Sequence, residues 1–105
     1  MKNTIHVSSV LHDGAVTGRH SGRLLREKAA AALALQPVVV VDFAGVDLIT
    51  QSAADEFIGR IVRQSPALIG RIQFAHCSRE VAEMLQWAAE HANTVSQSGI
   101  ETVPA

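Results

Sequence analysis

The sequence has too few cysteines and aromatic residues, and too little net charge, for several classes of protein. Cys77 is the only cysteine, so no disulfide can form within the chain. Aromatic residues make up 4% of the chain and tyrosine is absent, so aliphatic side chains must build the core. A net charge of −1 gives no basic surface of the kind that binds nucleic acid or anionic membranes.

Long apolar segments are also missing. No run approaches the ~18 residues that a membrane span requires. Residues 1–14 show no apolar core followed by a cleavage site, so they do not resemble a signal peptide. We therefore expect a cytoplasmic protein. The length of 105 residues, with 48% hydrophobic and 18% charged residues, predicts one globular domain over residues 1–105.

Short motifs for phosphate or metal binding do not occur. The sequence contains neither GxxxxGK[ST] nor GxGxxG after a predicted strand. Histidines are scattered, and none stands in a pair with ligand spacing: His6, His12, His20, His76 and His91. We therefore expect no metal and no cofactor.

Alternating strand and helix signals predict an α/β fold with a mixed, mostly parallel sheet. Predicted strands cover residues 4–11, 15–17, 38–43 and 71–75. The turn signal Asp13-Gly14 predicts that the first two form an edge hairpin over residues 1–17, which adds an antiparallel edge. The four valines of 38–41 leave no polar face, which predicts a central strand covered on both sides.

About three main helices are expected. The first runs to about Leu35 and begins near Thr17, His20 or Ser21, with Ser21 as the N-cap candidate. The second covers residues 52–63, and Ser52 with Asp55 resembles a capping box. Ser78 is expected to cap a third helix that ends near residue 91. Residues 93–105 are predicted to be a weakly structured tail, or to add a last edge strand at 100–103.

Three groups of residues allow other functions. Asp42, Asp55 and Glu56 lie around one loop and could form a small ligand-binding or enzymatic site. Against this, Asp42 ends a strand and Asp55 is expected to cap a helix. Cys77 follows a strand and precedes a helix, where the helix dipole could lower its pKa, or it is an inert thiol. Trp87 could anchor a homo-oligomer or belong to the core.

The segment from Asp42 to Ser52 resembles the central motif of the STAS fold, that of bacterial anti-sigma-factor antagonists and of cytoplasmic domains of sulfate transporters. The motif reads roughly D-[LF]-S-G-V-x-x-I-D-S-[SA]-G. Six positions are in register: Asp42, Phe43, Gly45, Val46, Ile49 and Ser52. Thr50, Gln51 and Ala53 depart from it. Ser52 takes the place of the residue that a partner kinase phosphorylates in the antagonists.

A second likeness is to a small STAS-like family with an I-x-x-x-[FA]-A-D-E-[LIF] pattern after the same strand. Here that pattern runs from Ile49 to Phe57, and Asp55-Glu56 is its recurring signature. The family also carries S/T-R-x-x-[AG] at the start of the first helix, which the segment from Gly18 through Arg19 to Gly22 matches. Members of this kind resemble partners of histidine-kinase-like ATPases.

The resemblance implies a non-enzymatic bacterial regulatory domain. It would bind a kinase-like ATPase through the loop and helix of residues 44–62, and a weak homodimer is a further expectation. Candidate phosphoacceptors are Ser52 and, second, Thr50. Candidate partner-binding residues are Gly45, Asp47, Ser52, Asp55, Glu56 and Arg19. A phosphate on Ser52 suits a helix N-terminus, and we expect its charge to weaken contact with an acidic partner surface.

Overall fold

The fold is built on a central parallel ladder of three strands. The computed structural model describes residues 3–11 and 14–101, with the side chains of residues 4–11 and 14–92. The strands are β1 (Asn3–His6), β3 (Val39–Asp42) and β5 (Ile72–Ala75), in the order β1-β3-β5. Both pairings are parallel, which places the strand after Pro37 at the centre, as predicted.

A second, shorter ladder of two strands is found where we predicted an edge hairpin. The chain leaves β1 as the short helix α1 (Val7–Leu11), because Val7, Val10 and Leu11 have helical spacing and meet the core on one face. The next strand, β2 (Ala15–Val16), does not return along β1. It pairs in parallel with β4 (Leu48–Ile49), a strand that the sequence did not predict. The α/β class with mostly parallel strands is confirmed; the antiparallel hairpin is wrong.

Helices cover one face of the central ladder. They are α2 (Gly18–Leu33), α3 (Gln51–Ala54), α4 (Arg60–Gln64) and α5 (Arg79–Glu101). A π-helical segment, Asp55–Gly59, joins α3 to α4, so residues 51–64 form one continuous helix, and the 3₁₀ helix Pro66–Arg71 leads from α4 into β5. The helix 51–64 lies between α2 and α5 and contacts both.

The core lies between these helices and one face of the ladder. Val39, Val41 and Phe43 are almost fully buried, as are Phe57 and Ile58 of the helix 51–64. Val40, on the opposite face, is only half-buried, and its neighbour Gln73 is exposed. Within the described residues, the predicted covering of β3 on both faces is therefore wrong, since helices pack against one face alone.

The observed helix boundaries agree in part with the predicted ones. Ser78 caps α5, and its Oγ accepts from the N–H of Val81 at 3.2 Å, as predicted. The N-cap position of α2 is Thr17, not Ser21, and its side chain makes no capping bond. The helix α5 continues to Glu101, past the predicted end near His91. Residues 102–105 of the predicted tail lie outside the described residues.

Candidate functional site

The loop after the central strand is a tight turn that exposes its tip. The N–H of Val46 donates to the carbonyl of Phe43 at 2.9 Å, and Gly45 has a φ of +81°. That conformation favours glycine at the third position of a turn. Asp47 follows, with an exposed side chain and a backbone N–H that donates to the Gly14 carbonyl at 2.8 Å. The predicted residues Gly45 and Asp47 are therefore both accessible.

Thr50, not Ser52, caps the helix 51–64. Thr50 Oγ1 accepts from the N–H of Ala53 at 3.3 Å, the N3 position of the helix. It also accepts from the N–H of Gly18 at 3.1 Å, so one hydroxyl serves the starts of two helices. Ser52 lies in the first turn, half-buried, with its Oγ 3.4 Å from Thr50 Oγ1. The predicted capping box of Ser52 and Asp55 is therefore wrong.

Asp55 and Glu56 form the centre of a group of ion pairs, which we call the arginine–carboxylate cluster. Asp55 binds Arg19 through Oδ2 at 3.0 Å and Arg63 through Oδ1 at 2.9 Å. Glu56 binds Arg26 at 2.6 Å and Arg19 at 3.2 Å, and Arg60 lies 3.5 Å away. Asp55 is thus an ion-pairing residue within the helix and not its cap.

Electrostatics in this cluster keep both acids ionised. Burial alone would raise the pKa of Asp55, but hydrogen bonds from Arg63 and Arg19 outweigh it and lower the pKa. A hydrogen bond from Arg26 is the largest cause that lowers the pKa of Glu56. The same contacts raise the pKa of Arg19, with the hydrogen bond to Asp55 as the largest cause. Both carboxylates are therefore charged at neutral pH.

Close approach of two helices makes the cluster possible. Gly22 of α2 lies against the backbone of Ala53, and a Cβ at Gly22 would overlap the Ala53 carbonyl oxygen. A second contact comes from Arg26, whose Nη1 donates to the Glu56 carbonyl at 2.8 Å. Glu56 and Asp55 open the π-helical segment, a deviation that is frequent at functional sites. The two segments singled out by resemblance, 18–22 and 55–56, thus meet directly.

A wide, open cleft lies beside the cluster, and we call it the polar cleft because all but one of the described residues that line it have polar side chains. Its volume is about 630 Å³, and Arg19, Thr50, Ser52, Asp55, Arg63 and Trp87 are among the residues that line it. Trp87 is half-buried on α5 and stacks on His91 with a ring separation of 4.5 Å. The predicted residues Arg19, Ser52 and Asp55 are thereby brought together, whereas Gly45 and Asp47 do not line the cleft.

The carboxylate Asp42 belongs to a different group, which sequence spacing did not reveal. Its Oδ1 lies 2.9 Å from His76 Nδ1, and its Oδ2 lies 3.4 Å from His6 Nδ1. A hydrogen bond from the N–H of Ala44 is the largest cause that lowers the pKa of Asp42, followed by the one from His76. The proposed acidic site of Asp42, Asp55 and Glu56 is not formed, because Asp42 lies against two histidines whereas Asp55 and Glu56 bind arginines elsewhere.

The histidine grouping follows from strand register. His6 pairs with Asp42 across β1 and β3, and His76 follows β5 directly with a φ of +56°. Carboxyl ends of parallel strands meet at one edge of a sheet, so the predicted strands could bring Asp42 and His76 together, whereas His6 lay inside the predicted strand 4–11. Among the residues that the structure describes, no group of three or more His, Cys, Asp or Glu could hold a metal ion.

Cys77 does not have the environment of an activated thiol. It is half-buried, and burial is the largest cause that raises its pKa, with the charge of Asp42 adding to it. The suggested lowering of its pKa by the following helix is therefore wrong.

In the described ranges, no helix has the length and apolar content that a membrane span requires.

Comparison with known proteins shows the family to which most of the chain is similar. A family model described as a STAS-like domain of unknown function matches residues 21–82, more than half of the chain. The match includes Ser52 and the pair Asp55-Glu56. No curated protein and no solved structure matches the chain.

Proposed function

The chain belongs to the family of STAS-like domains, and on this basis we propose that it is a non-enzymatic, cytoplasmic regulatory domain that binds a protein partner. The partner we propose is a histidine-kinase-like ATPase, by the resemblance to anti-sigma-factor antagonists. The contact surface is the loop 44–48 with the first turn of the helix 51–64. The observation that carries this proposal is the exposure of Leu48, an apolar residue that is 47% exposed at the edge of that loop.

Burial decides which part of the region 44–62 a partner could reach. Ala53, Ala54, Phe57 and Ile58 are almost fully buried against the neighbouring helices. Asp55 and Glu56 are half-buried and bound by arginines. The accessible part is the loop tip with Gly45, Asp47 and Leu48, together with Gln51. We therefore place the partner contact at the start of the helix and not along its length.

Exposed apolar area next to charge favours a protein partner. Leu48 and Trp87 line a shallow groove with Met84, and Glu80 and Glu83 lie at the same groove. An apolar centre with a charged rim is the usual composition of a protein interface. Asp47 adds a further exposed negative charge beside Leu48. The surface is therefore suited to a partner that presents an apolar side chain flanked by basic residues, and not to the acidic partner surface that we expected from the sequence.

Ser52 is the residue that we propose as the phosphoacceptor. Thr50 Oγ1 already accepts two backbone N–H groups, so modification at Thr50 would break two bonds at helix starts. Ser52 instead lines the polar cleft with Arg19 and Arg63, whose guanidinium groups could receive a phosphate. Asp55 and Glu56 would not repel this phosphate strongly, because both acids are paired with arginines.

Phosphate mapping tests the proposal. The purified chain is incubated with ATP and the kinase-like ATPase encoded by a neighbouring gene, and any phosphate is located by mass spectrometry. We expect one phosphate on the wild type, none on Ser52→Ala, and one on Ser65→Ala, an exposed serine at the end of α4. Phosphate on Ser52→Ala at the wild-type level would exclude Ser52. A lack of any stable complex would count against the partner itself.

A further inference from the structure

We propose that the polar cleft between α2, the helix 51–64 and α5 binds a phosphomonoester. Arg19 and Arg63 hold the phosphate, and Trp87 forms a wall for the rest of the ligand. This site does not depend on the partner contact, because it lies in the isolated chain. It does not include the loop tip, since Gly45 and Asp47 do not line it, but it borders the proposed partner surface at Gln51 and Trp87.

Unused donors on the two arginines are the first argument. A guanidinium carries five N–H groups in a planar fork that matches phosphate geometry. Within the described part of the chain, the hydrogen bonds of Arg19 and Arg63 to Asp55 and Glu56 all use Nη1. Nε and Nη2 of both residues remain available. A phosphate could therefore be bound without displacing Asp55.

Surplus positive charge is the second argument. The arginine–carboxylate cluster places four guanidinium groups around two carboxylates. The part that lines the cleft has two arginines and one acid, Asp55. This surplus stands out in a chain whose net charge is −1. An anion in the cleft would balance the local charge, and a neutral ligand would not.

Size and lining decide the class of anion. A volume of about 630 Å³ is far more than inorganic phosphate fills, and it lies in the range of small-molecule sites. Ser52 and Thr50 add hydroxyl groups near the arginines, and Trp87 supplies an aromatic wall. In a phosphate ester, the phosphate would contact the arginines and hydroxyl groups, and the organic group would contact Trp87. The phosphate could belong to a soluble phosphomonoester or to phosphorylated Ser52 itself.

A ligand titration in which NMR monitors the N–H signals of the protein tests the site. The probes are AMP, adenosine and inorganic phosphate, and the indole N–H of Trp87 is an unambiguous reporter because the sequence has one tryptophan. We expect saturable shifts of this signal with AMP and weaker binding of inorganic phosphate. Adenosine should bind at least about tenfold more weakly than AMP, because it lacks the charge-assisted hydrogen bonds. Equal binding of AMP and adenosine would overturn the proposal, as would no saturable shift with AMP.

Matched variants locate the phosphate. Arg19→Gln and Arg63→Gln should each weaken AMP about tenfold or more, and Arg63→Lys should weaken it less, since it keeps the charge. Arg79→Gln is the control, because Arg79 is exposed on α5 and paired with Glu83. Equal losses for Arg79→Gln and Arg63→Gln would contradict the site. Circular dichroism confirms that each variant is folded.

A last variant tests whether a negative charge at position 52 and a soluble phosphomonoester compete for the same arginines. Ser52→Glu places a negative charge where phosphorylated Ser52 would reach the same arginines. We expect this variant to weaken AMP binding at least about fivefold, since the two anions compete for one pair of guanidinium groups. Unchanged AMP affinity in Ser52→Glu would show that the soluble ligand lies elsewhere. Failure of the partner experiment would leave this titration unaffected.

Discussion

Gly18 and Thr50 are joined by a hydrogen bond that spans 32 residues and connects the starts of two helices. The N–H of Gly18 donates to Thr50 Oγ1 at 3.1 Å, and the same oxygen accepts from Ala53 at 3.3 Å. The candidate site depends on this junction, because Arg19 follows Gly18 and Ser52 follows Thr50 by two residues. Thr50 therefore helps to set the position of Arg19 relative to Ser52.

Thr50→Val should destabilise the protein by about 1–3 kcal/mol, because it removes a helix cap and leaves a second backbone N–H without its acceptor. Thr50→Ser keeps the hydroxyl and should cost less. Thr17→Val is the matched control, since Thr17 occupies the N-cap position of α2 without a side-chain bond. Urea unfolding measures all three. A Thr50→Val protein as stable as the wild type would mean that the hydroxyl does not join the helices.

Gly22→Ala should destabilise the protein by about 1–3 kcal/mol, although alanine favours helices. The added methyl group would overlap the carbonyl oxygen of Ala53 and push α2 away from the helix 51–64. Gly70→Ala provides the control, because a Cβ there meets no atom within 4 Å. Thermal unfolding should therefore show a lower melting temperature for Gly22→Ala than for the wild type. The melting temperature of Gly70→Ala should fall clearly less, or rise. Equal stability of the two would contradict the close approach.

Stability should fall in acid as Asp55 and Glu56 become protonated. Both carboxyl groups have lowered pKa values in the folded state, so their contribution is complete above the unfolded pKa values. It is lost as the pH falls below about 4 and passes through the folded pKa values. Urea unfolding at pH 7 and at pH 3 measures this loss.

Glu56→Gln isolates one part of that acid dependence. We expect a loss of about 2 kcal/mol at pH 7, because the charged partner of Arg26 is removed, and a smaller difference from the wild type at pH 3. The control is Glu83→Gln, whose ion pair with Arg79 is exposed and should contribute at most about 0.5 kcal/mol. The same loss at both pH values would show that the effect of Glu56 is not electrostatic.

Cys77 should react slowly with iodoacetamide in the folded protein. Its pKa is raised by burial and by the charge of Asp42, so little thiolate exists near pH 7.5. We expect alkylation at least about threefold slower than in the urea-unfolded chain, where the thiol has its ordinary pKa. Asp42→Asn should increase the folded-state rate slightly. A folded protein that reacts faster than the unfolded chain would restore Cys77 as a candidate nucleophile.

Local signals in the sequence predicted the scaffold well. The apolar run after Pro37 identified the central strand, and Ser78 was correctly assigned as the cap of α5. Both signals depend on a few neighbouring residues. The cap at Thr50 was missed because Thr50 and Ser52 are both acceptable caps, and the contact with distant Gly18 decides between them. Helix α1 was missed because its apolar spacing over five residues also fits a bulged strand.

Site geometry depends on contacts that spacing does not encode. Resemblance singled out Arg19 and Asp55-Glu56, but their direct contact joins residues 36 and 37 positions apart. His6, Asp42 and His76 come together through the register of three strands, which no single motif reveals. We wrongly predicted that both faces of β3 are covered. A run of four valines is compatible with a strand that is covered on one face as well as with one covered on both.

Binding of the neighbouring kinase-like ATPase to Leu48→Asp tests the central claim most directly. Leu48 is 47% exposed at the proposed contact, and Leu35, 81% exposed beyond the end of α2, is the matched control. Isothermal titration calorimetry measures the Kd for the wild type and both variants. We predict that Leu48→Asp weakens binding about thirtyfold, equivalent to about 2 kcal/mol, and that Leu35→Asp leaves it unchanged. Equal affinity of the wild type and Leu48→Asp would contradict the proposed surface.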